Sequence, residues 1–427
     1  MKLIASIVLT VCYMSSATAE NIYLKAAAYL DVQSGKLIQP AHVWIKDGII
    51  KAINPKSTPK DSIEMDLSDK FLLPGMMDMH THLDLDYNNG FGDIITDESA
   101  SKGAIRATKN AEKTLMAGFT TVRNVGQVHL SGELIGVALS EAEQEGWIKS
   151  PRIVPAGHMI SISGGHGDLS MGWAESLFEP KPKHGIINGP LDAIEAVRYQ
   201  IKHGAKVIKI HATAGVLSLE DAVGAQQLSN EEMKTIVEEA HRHHLKVAAH
   251  AHGTEGIKAA IRAGVSSIDH GSLLDAEGIR MMKENNVYLV PTTGLVDFII
   301  DGIDNMDAQI AKKAKFILPL AANNLTTAIK QNVKIALGTD SPLIPHGKNA
   351  YELSALMDRG MSAIDAIRAA TINAAELLGV TDRGQLKEGL LADIIAVDEN
   401  PLENIKTLES VTFVMKGGTI YKHTTNK

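Results

Sequence analysis

The sequence has a single cysteine among its 427 residues, Cys12, which lies in an apolar stretch at the amino terminus. Without that stretch the chain has no cysteine, which excludes disulfide bonds and thiolate metal ligands. A domain of this size buries enough apolar surface to be stable without disulfides. Basic residues are scattered, with no run of five or more, and the net charge is −8. This distribution argues against a nucleic-acid partner, which usually requires a basic stripe.

Long apolar segments are also lacking, apart from the one at the amino terminus, and that one is too short to cross a bilayer. Residues 3–14 are mostly apolar and follow Lys2, while Ala17 and Ala19 have the small-x-small spacing of a cleavage site. These features predict a signal peptide at residues 1–19, and therefore a periplasmic or secreted protein without a transmembrane anchor. A buried first strand or helix is the alternative interpretation.

Between residues 75 and 382, short apolar runs alternate with segments of helical periodicity. Ser229 to Glu232 forms a capping box, and Gly264 stands where a helix would end before the next run. Eight strand–helix units in roughly 300 residues predict an α/β fold of the TIM-barrel type. A doubly wound open sheet is the alternative, but no glycine-rich dinucleotide loop follows the first run. The eight runs are 76–82, 120–125, 153–160, 207–212, 246–252, 266–270, 287–291 and 335–340.

The two ends of the chain have a different pattern, with short apolar runs separated by turn residues. One example is Asp47-Gly48 between two apolar runs, which is a hairpin signal. The pattern predicts that residues 20–74 and 383–427 combine in a small β-sandwich domain, flanking a barrel formed by residues 75–382.

Side chains that bind metals come at the ends of four of the eight predicted strands. His80 and His82 end the first strand and share one side of it, because alternate strand residues face the same way. His250, His270 and Asp340 end the fifth, sixth and eighth strands. Functional residues of TIM barrels lie at these carboxyl ends, so the five side chains should face one mouth. Imidazole and carboxylate ligands suit zinc, manganese or iron.

Lys209 lies in the middle of the fourth predicted strand, Val207-Ile208-Lys209-Ile210. A buried lysine is costly unless it is neutralised or paired. Carboxylation by CO2 would convert it into an anionic ligand able to bridge two metal ions.

Taken together, these motifs resemble those of the amidohydrolase superfamily over nearly the whole chain. Leu73-Pro74-Gly75 before the paired histidines, residues 118–123 and residues 389–393 carry the general resemblance. Residues 164–168, Gly-Gly-His-Gly-Asp, and residues 250–253, His-Ala-His-Gly, are similar to a narrower group. That group comprises prolidase-like carboxypeptidases, including Xaa-Pro dipeptidases and ochratoxin-type amidases.

The resemblance implies two divalent metal ions, with zinc as the expected metal, bridged by carboxylated Lys209 and by a hydroxide that attacks the amide carbon. In such a site Asp340 takes the proton of the hydroxide and passes it to the leaving amine. The implied ligands are His80, His82 and Asp340 for one ion, and His250 and His270 for the other, with Lys209 between them.

Four further residues are candidates for contact with substrate. His166 lies in a glycine-rich loop after the third strand, where it could reach the oxyanion; an exposed loop histidine is the alternative. Arg123, at the end of the second strand, could bind a substrate carboxylate in a bidentate manner, with a structural ion pair as the alternative. His158 and His252 either line the pocket or only pack.

We therefore predict a metallohydrolase that cleaves the amide bond next to a C-terminal amino acid in dipeptides, small peptides or N-acyl amino acids. Hydrolysis of cyclic or xenobiotic amides at the same site is the alternative activity. A non-catalytic binding protein on this fold is less favoured, because all the implied metal ligands are present. A homo-oligomer is compatible with the sequence.

Overall fold

The computed structural model describes residues 21–424, except 87–94, 96, 175, 219–221 and 304–305. The predicted signal peptide lies outside these residues. Within them, no helix is long and apolar enough to cross a membrane.

The strands and helices are numbered along the chain. The strands are β1 (Asn21–Asp31), β2 (Lys36–Ile38), β3 (Ala41–Lys46), β4 (Ile49–Ile53), β5 (Ile63–Pro74), β6 (Met76–Thr81), β7 (Phe119–Asn124), β8 (Arg152–Pro155), β9 (Ser161–Ile162), β10 (Ile186–Ile187), β11 (Ile208–His211), β12 (Val247–Ala251), β13 (Ser267–His270), β14 (Tyr288–Val290), β15 (Ile394–Val397), β16 (Phe413–Lys416) and β17 (Thr419–His423). The helices are α1 (Ala100–Met116), α2 (Ile135–Gln144), α3 (Pro190–Lys202), α4 (Asn230–Arg242), α5 (Thr254–Ala263), α6 (Ala276–Glu284), α7 (Leu295–Gly302), α8 (Ala308–Lys330), α9 (Tyr351–Asp358), α10 (Ala363–Ala369) and α11 (Ile372–Leu378).

Strands from both ends of the chain pair in one sheet, in the order β17-β16-β15-β5-β1-β3-β4, with β2 paired to β1. The antiparallel pairing of β15 with β5 joins the two ends. The segment just before β15 also contacts β4 and the turn that precedes it, because Ile50 N donates to Leu390 O and Ala392 N donates to Gly48 O. The described strands from the two ends of the chain are linked in one hydrogen-bonded sheet, with a shared apolar core.

The central strands run parallel in two sheets, β6-β7-β8 and β11-β12-β13-β14. Three bridges connect them in a ring: Ile160 with Ile210, Leu289 with Ile335, and Thr81 with Ser341. The eighth predicted strand is a backbone segment with single bridges rather than a regular strand. It still pairs with the first, since Asp340 N donates to His80 O over 2.8 Å. This ring of pairings is the arrangement expected of a TIM barrel.

Local sequence signals place the helices between the barrel strands. Ser229 Oγ accepts from Glu232 N over 3.1 Å and Ser229 N donates to the Glu232 carboxylate over 2.8 Å, so the predicted capping box starts α4. Gly264 ends α5 with a φ of 96°, a conformation that costs glycine little. Two helices, α7 and α8, follow β14 and bury apolar side chains over the carboxyl ends of the strands.

Candidate metal centre and active site

A cavity of about 970 Å³ opens at the carboxyl ends of the barrel strands. Loops after the strands form one side, and α7 and α8 contribute an apolar wall. The ionisable side chains predicted to bind metal all line this cavity. Its imidazole, carboxylate and amine groups near the strand ends are those of His80, His82, His166, Lys209, His211, His250, His252, His270 and Asp340.

The first group of ligand atoms joins β6 to the segment after residue 335. Asp340 Oδ1 lies 3.3 Å from His80 Nε2 and 3.4 Å from His82 Nε2. His80, His270 and Asp340 offer one ligand atom each within 4.8 Å of one another. Burial raises the pKa of Asp340, but interactions with His80 and His82 outweigh it and hold that pKa well below its ordinary value. The structure thus brings these predicted ligands together around an ionised carboxylate.

The second group consists of His250, His252 and His270, whose ligand atoms also lie within 4.8 Å of one another. Hydroxyl groups fix two of the rings: His252 Nδ1 is 2.7 Å from Ser272 Oγ and His270 Nδ1 is 2.8 Å from Thr292 Oγ1. Such contacts orient metal-binding histidines and leave Nε2 to coordinate.

These residues fit a divalent cation. Burial holds the pKa values of His250 and His270 well below the ordinary value, so both rings are neutral, which is the form that coordinates metal. His250 Nε2 is buried and has no hydrogen-bond partner among the described residues. Neutral imidazoles with a carboxylate form the donor set expected for zinc and similar ions.

The backbone at this mouth adopts left-handed conformations at three residues that are not glycine. The φ angles are 71° at His270, 50° at Thr292 and 57° at Asp340. A β-branched residue such as Thr292 is especially unfavourable there. Strained positions of this kind persist where the surrounding structure imposes them, and they cluster at functional sites.

Lys209 is fully buried in β11 and pairs with Asp269, the residue before His270. Burial lowers the pKa of Lys209, and the charge of Asp269 opposes this effect. Asp269 has three other side-chain partners: Ser267 Oγ donates to its Oδ1 over 3.0 Å, Arg123 Nη2 lies 3.1 Å from its Oδ1, and His80 Nδ1 lies 3.2 Å from its Oδ2. The Asp269 carboxylate therefore does not depend on Lys209 alone for its stabilisation.

The predicted contact between Arg123 and a substrate carboxylate is not supported by the geometry. Arg123 is fully buried and does not line the cavity. Its Nε donates to Met79 O over 2.6 Å and its Nη1 to Ser267 Oγ over 3.0 Å, in addition to the bond with Asp269. All three guanidinium nitrogens form hydrogen bonds inside the barrel. Arg123 therefore forms a structural ion pair, which was the alternative to binding a substrate carboxylate.

The three remaining candidate histidines occupy different places. His158 is buried beside His184 outside the main cavity, so its predicted position in the substrate pocket is corrected. Burial lowers the pKa of His158 to about 3. His252 and His166 do line the cavity. His166 Nδ1 lies 2.7 Å from Ser218 Oγ, and its ring stacks on His250 with 4.3 Å between centroids.

Three residues of the site were not predicted from the sequence. His211 is buried and lies against His166 and His250, with ring centroids 4.9 and 5.1 Å away. Its position two residues after Lys209 on the same strand was an available signal, because alternate residues share a side. Asp269 and Lys113, a cavity-lining residue of α1, carried no comparable pattern.

Comparison with known proteins gives consistent matches along the chain. Residues 71–421 match the model of the amidohydrolase family. An ochratoxinase from Aspergillus niger is 35% identical over 439 aligned positions, which cover 96% of this chain and 88% of the relative. Its crystal structure superposes with a TM-score of 0.83 at 32% identity, over 95% of this chain and 96% of that one. A Xaa-Pro dipeptidase crystallised with methionine in its active site has a TM-score of 0.89 and 36% identity, over 94% of this chain and 100% of that one.

Proposed function

This chain belongs to the amidohydrolase family, and from that premise we propose that it cleaves the amide bond next to a C-terminal amino acid in dipeptides, small peptides or N-acyl amino acids. The observation that carries the proposal is the meeting of His80, His82 and Asp340 with His250 and His270 in one cavity. The related dipeptidase and ochratoxinase also support it, because both share the fold across nearly the whole chain.

In the proposed centre, His80, His82 and Asp340 would hold one divalent ion and His250 and His270 would hold a second, with zinc as the expected metal. Bound divalent ions lower the pKa of water and polarise an amide carbonyl. Asp340 is ionised in this environment, so it can accept a proton at its carboxylate. It then returns that proton to the leaving nitrogen, the usual role of a general acid.

We also propose that Lys209 is carboxylated and supplies the bridging negative charge. Burial favours its neutral amine, the form whose nitrogen attacks CO2; the nitrogen then releases a proton to solvent. Arg123 and His80 would remain as partners of Asp269 once Lys209 has reacted. A free ammonium, by contrast, would repel two dications.

His166 is proposed to donate a hydrogen bond to the substrate carbonyl oxygen as negative charge develops there. Its hydrogen bond with Ser218 fixes the ring, and the stack on His250 keeps it beside the metal-binding group. On the leaving-group side, Lys113 and His252 both line the cavity and offer positive or hydrogen-bonding groups for a carboxylate. His252 is kept from the candidates identified in the sequence, and Lys113 takes the place of Arg123 and His158 for that contact.

Hydrolysis of larger apolar or cyclic amides is the second candidate function. It is favoured by the apolar wall of the cavity, to which α7 and α8 contribute Val296, Phe298, Ile299 and Ile317. A cavity of about 970 Å³ lies at the upper end of the usual range for small-molecule pockets, so it has room for a larger amide.

The deciding experiment compares one dipeptide with its C-terminal amide as kcat/KM, using enzyme loaded with a divalent metal. A site that pairs a buried carboxylate should reject the amide by roughly 10²-fold or more, because the anchoring group is left unpaired. Chelated enzyme serves as the control for metal dependence. Equal rates would refute carboxylate recognition and favour the second candidate function.

We further propose that the protein acts outside the cytoplasm, on the basis of the predicted signal peptide alone. Mass spectrometry of the amino terminus of the exported protein tests this proposal. The expected terminus is Glu20.

A further inference from the structure

We propose that Glu352, a buried residue of α9, is a positioning residue for His270 and acts on it through Thr292. The Glu352 side chain does not line the cavity, and both of its oxygens bind the backbone. Oε1 accepts from Thr293 N over 2.8 Å, and Oε2 accepts from Gly294 N over 2.6 Å. These two N–H groups directly follow Thr292, whose hydroxyl contacts His270. The inference rests on the proposed function, which assigns His270 to a metal ion.

The hydroxyl of Thr292 determines which nitrogen of His270 can bind a cation. Thr292 Oγ1 donates its only hydrogen to Pro291 O over 2.7 Å. It therefore accepts from His270 Nδ1, 2.8 Å away, so the proton of the neutral ring is on Nδ1. Nε2 then keeps the lone pair that coordinates metal. Contacts of this kind fix both the tautomer and the orientation of a metal-binding histidine.

Thr292 keeps its position although its backbone conformation is unfavourable. Its φ of 50° lies in the left-handed region, which disfavours a β-branched residue. Such strain persists only where the surrounding structure imposes it. The two hydrogen bonds from the following N–H groups to Glu352 supply that constraint, and Arg359 Nε adds a hydrogen bond to Thr293 Oγ1 over 3.3 Å. Glu352 therefore stabilises the turn that directs the Thr292 hydroxyl towards His270.

The segment just before α9 is itself fixed to the other side of the candidate metal centre. Asn349, three residues before Glu352, is buried, and its Nδ2 donates to Asp78 Oδ2 over 2.8 Å. Asp78 Oδ1 accepts from His80 N over 3.0 Å. The chain that carries Glu352 is thus attached to the strand of His80, which gives the carboxyl group a defined position relative to the turn beside His270.

Replacing Glu352 by glutamine changes the hydrogen bonding while preserving the size of the side chain. Burial raises the pKa of Glu352 to about 8, and the two backbone N–H groups oppose this rise. In either protonation state each carboxyl oxygen keeps a lone pair that can accept, whereas the amide nitrogen of glutamine can only donate. Glu352→Gln therefore places a donor against one of the two backbone N–H groups and releases that part of the turn.

The first test measures Zn²⁺ bound per chain by equilibrium dialysis against rising free Zn²⁺, without substrate. In Glu352→Gln one ion should be held roughly 10-fold or more weakly than in the unmodified protein, the usual effect of losing an outer contact of a metal-binding histidine. Unchanged Zn²⁺ binding in this variant would overturn the proposal.

Glu232→Gln is the matched control for a general loss of structure. Glu232 is also buried, and its carboxylate also accepts from two backbone N–H groups, those of Gly189 and Ser229, each over 2.8 Å. It does not line the cavity, so its replacement should lower stability and leave Zn²⁺ binding unchanged. Equal weakening of Zn²⁺ binding in both variants would show a general structural effect and overturn the proposal.

A double-mutant cycle tests whether Glu352 acts through Thr292. Thr292→Val keeps the β-branched shape and removes the hydroxyl, so it should also weaken Zn²⁺ binding. The double variant should bind the ion about as strongly as the weaker of the two single variants, because both changes remove the same constraint on His270. Losses that multiply in the double variant would refute action through Thr292.

If Glu352→Gln does not fold, as judged by its melting transition, Gly294→Ala takes its place in both tests. Gly294 has an ordinary helical φ of −66°, and an added Cβ would lie 2.9 Å from Glu352 Oε2, so the carboxyl group has to move. Unchanged Zn²⁺ binding in Gly294→Ala would then overturn the proposal.

The outcomes separate this inference from the proposed function. An unmodified protein that binds no Zn²⁺ would refute the metal centre and the role of Glu352 together. An unmodified protein that binds Zn²⁺ and cleaves no dipeptide would refute the proposed function alone, because the binding measurements decide the role of Glu352 without substrate.

Discussion

Arg123 and Asp269 form a fully buried ion pair across the barrel, with Nη2 and Oδ1 3.1 Å apart although 146 residues separate them in sequence. Asp269 in turn contacts Lys209 and His80, so the guanidinium stabilises a carboxylate at the base of the candidate metal centre. The pKa of Asp269 stays well below its ordinary value: burial opposes ionisation, but Lys209 and Arg123 outweigh it.

Replacing Arg123 by methionine should reduce stability more than it affects substrate binding. Loss of one partner of a buried ion pair typically costs about 3–5 kcal/mol, because the remaining charge is left uncompensated. Chemical denaturation measures the free energy of unfolding, and KM is measured on the folded fraction. The control is Arg280→Met, which removes exposed ion pairs with Glu277 and Glu284 and should cost no more than about 1 kcal/mol. A large rise in KM with unchanged stability would restore Arg123 as a substrate ligand.

Lys209→Ala should abolish most activity and lose metal, because the proposed bridging carboxylate disappears. Adding a short carboxylic acid such as acetate should restore part of the activity by occupying the same space. Metal content and kcat are measured with and without the acid. The control is Lys206→Ala, an exposed lysine just before the same strand, which should behave like the unmodified enzyme. Full activity in Lys209→Ala without added acid would contradict the proposed role.

Asp340→Asn preserves the size of the side chain but removes its ability to accept a proton. If Asp340 transfers the proton, kcat should fall by roughly 10²-fold or more. Metal content is measured in parallel, so that loss of a ligand is not mistaken for loss of a base. Asp307→Asn, at another carboxylate that lines the cavity, is the control and should keep its rate. A variant with full metal content and near-normal kcat would exclude the role of proton carrier.

Much of this centre could be predicted from the sequence, because the spacing of residues along a strand determines which side their side chains face. His80, His82, His250, His270 and Asp340 each end a predicted strand, and the barrel arrangement brings such ends to one mouth. His211 lies two residues after Lys209 at the end of the same strand, so the same rule predicts that it belongs to this centre.

Contacts between distant strands could not be predicted in this way. The partner of Arg123 depends on which side chains come into contact inside the closed barrel. No pattern in the neighbouring sequence predicts that contact. The same holds for the small domain, where the pairing of β5 with β15 joins strands from the two ends of the chain in one sheet. The apolar wall of the cavity likewise depends on how α7 and α8 fold back over the strand ends.

Stability should decrease in mildly acidic solution because of His158, and the sign follows from its burial. The folded state lowers the pKa of His158 to about 3, against an ordinary value near 6.5, since burial disfavours the charged ring. Stability from this residue is complete above the unfolded pKa and is lost as the pH falls from about 6.5 towards 3, because only the unfolded chain then binds the proton. Over two pH units below 6.5 the loss approaches roughly 2 to 3 kcal/mol.

His158→Gln removes this proton-binding group, so its free energy of unfolding should fall less between pH 7 and pH 4.5 than that of the unmodified protein. The measurement is urea denaturation at several pH values, with metal removed from both proteins so that acid does not act through metal release. His203→Gln, at an exposed histidine after α3, should retain the pH dependence of the unmodified protein. Parallel stability curves for His158→Gln and the unmodified protein would show that the His158 ring is protonated equally in the folded and unfolded chains.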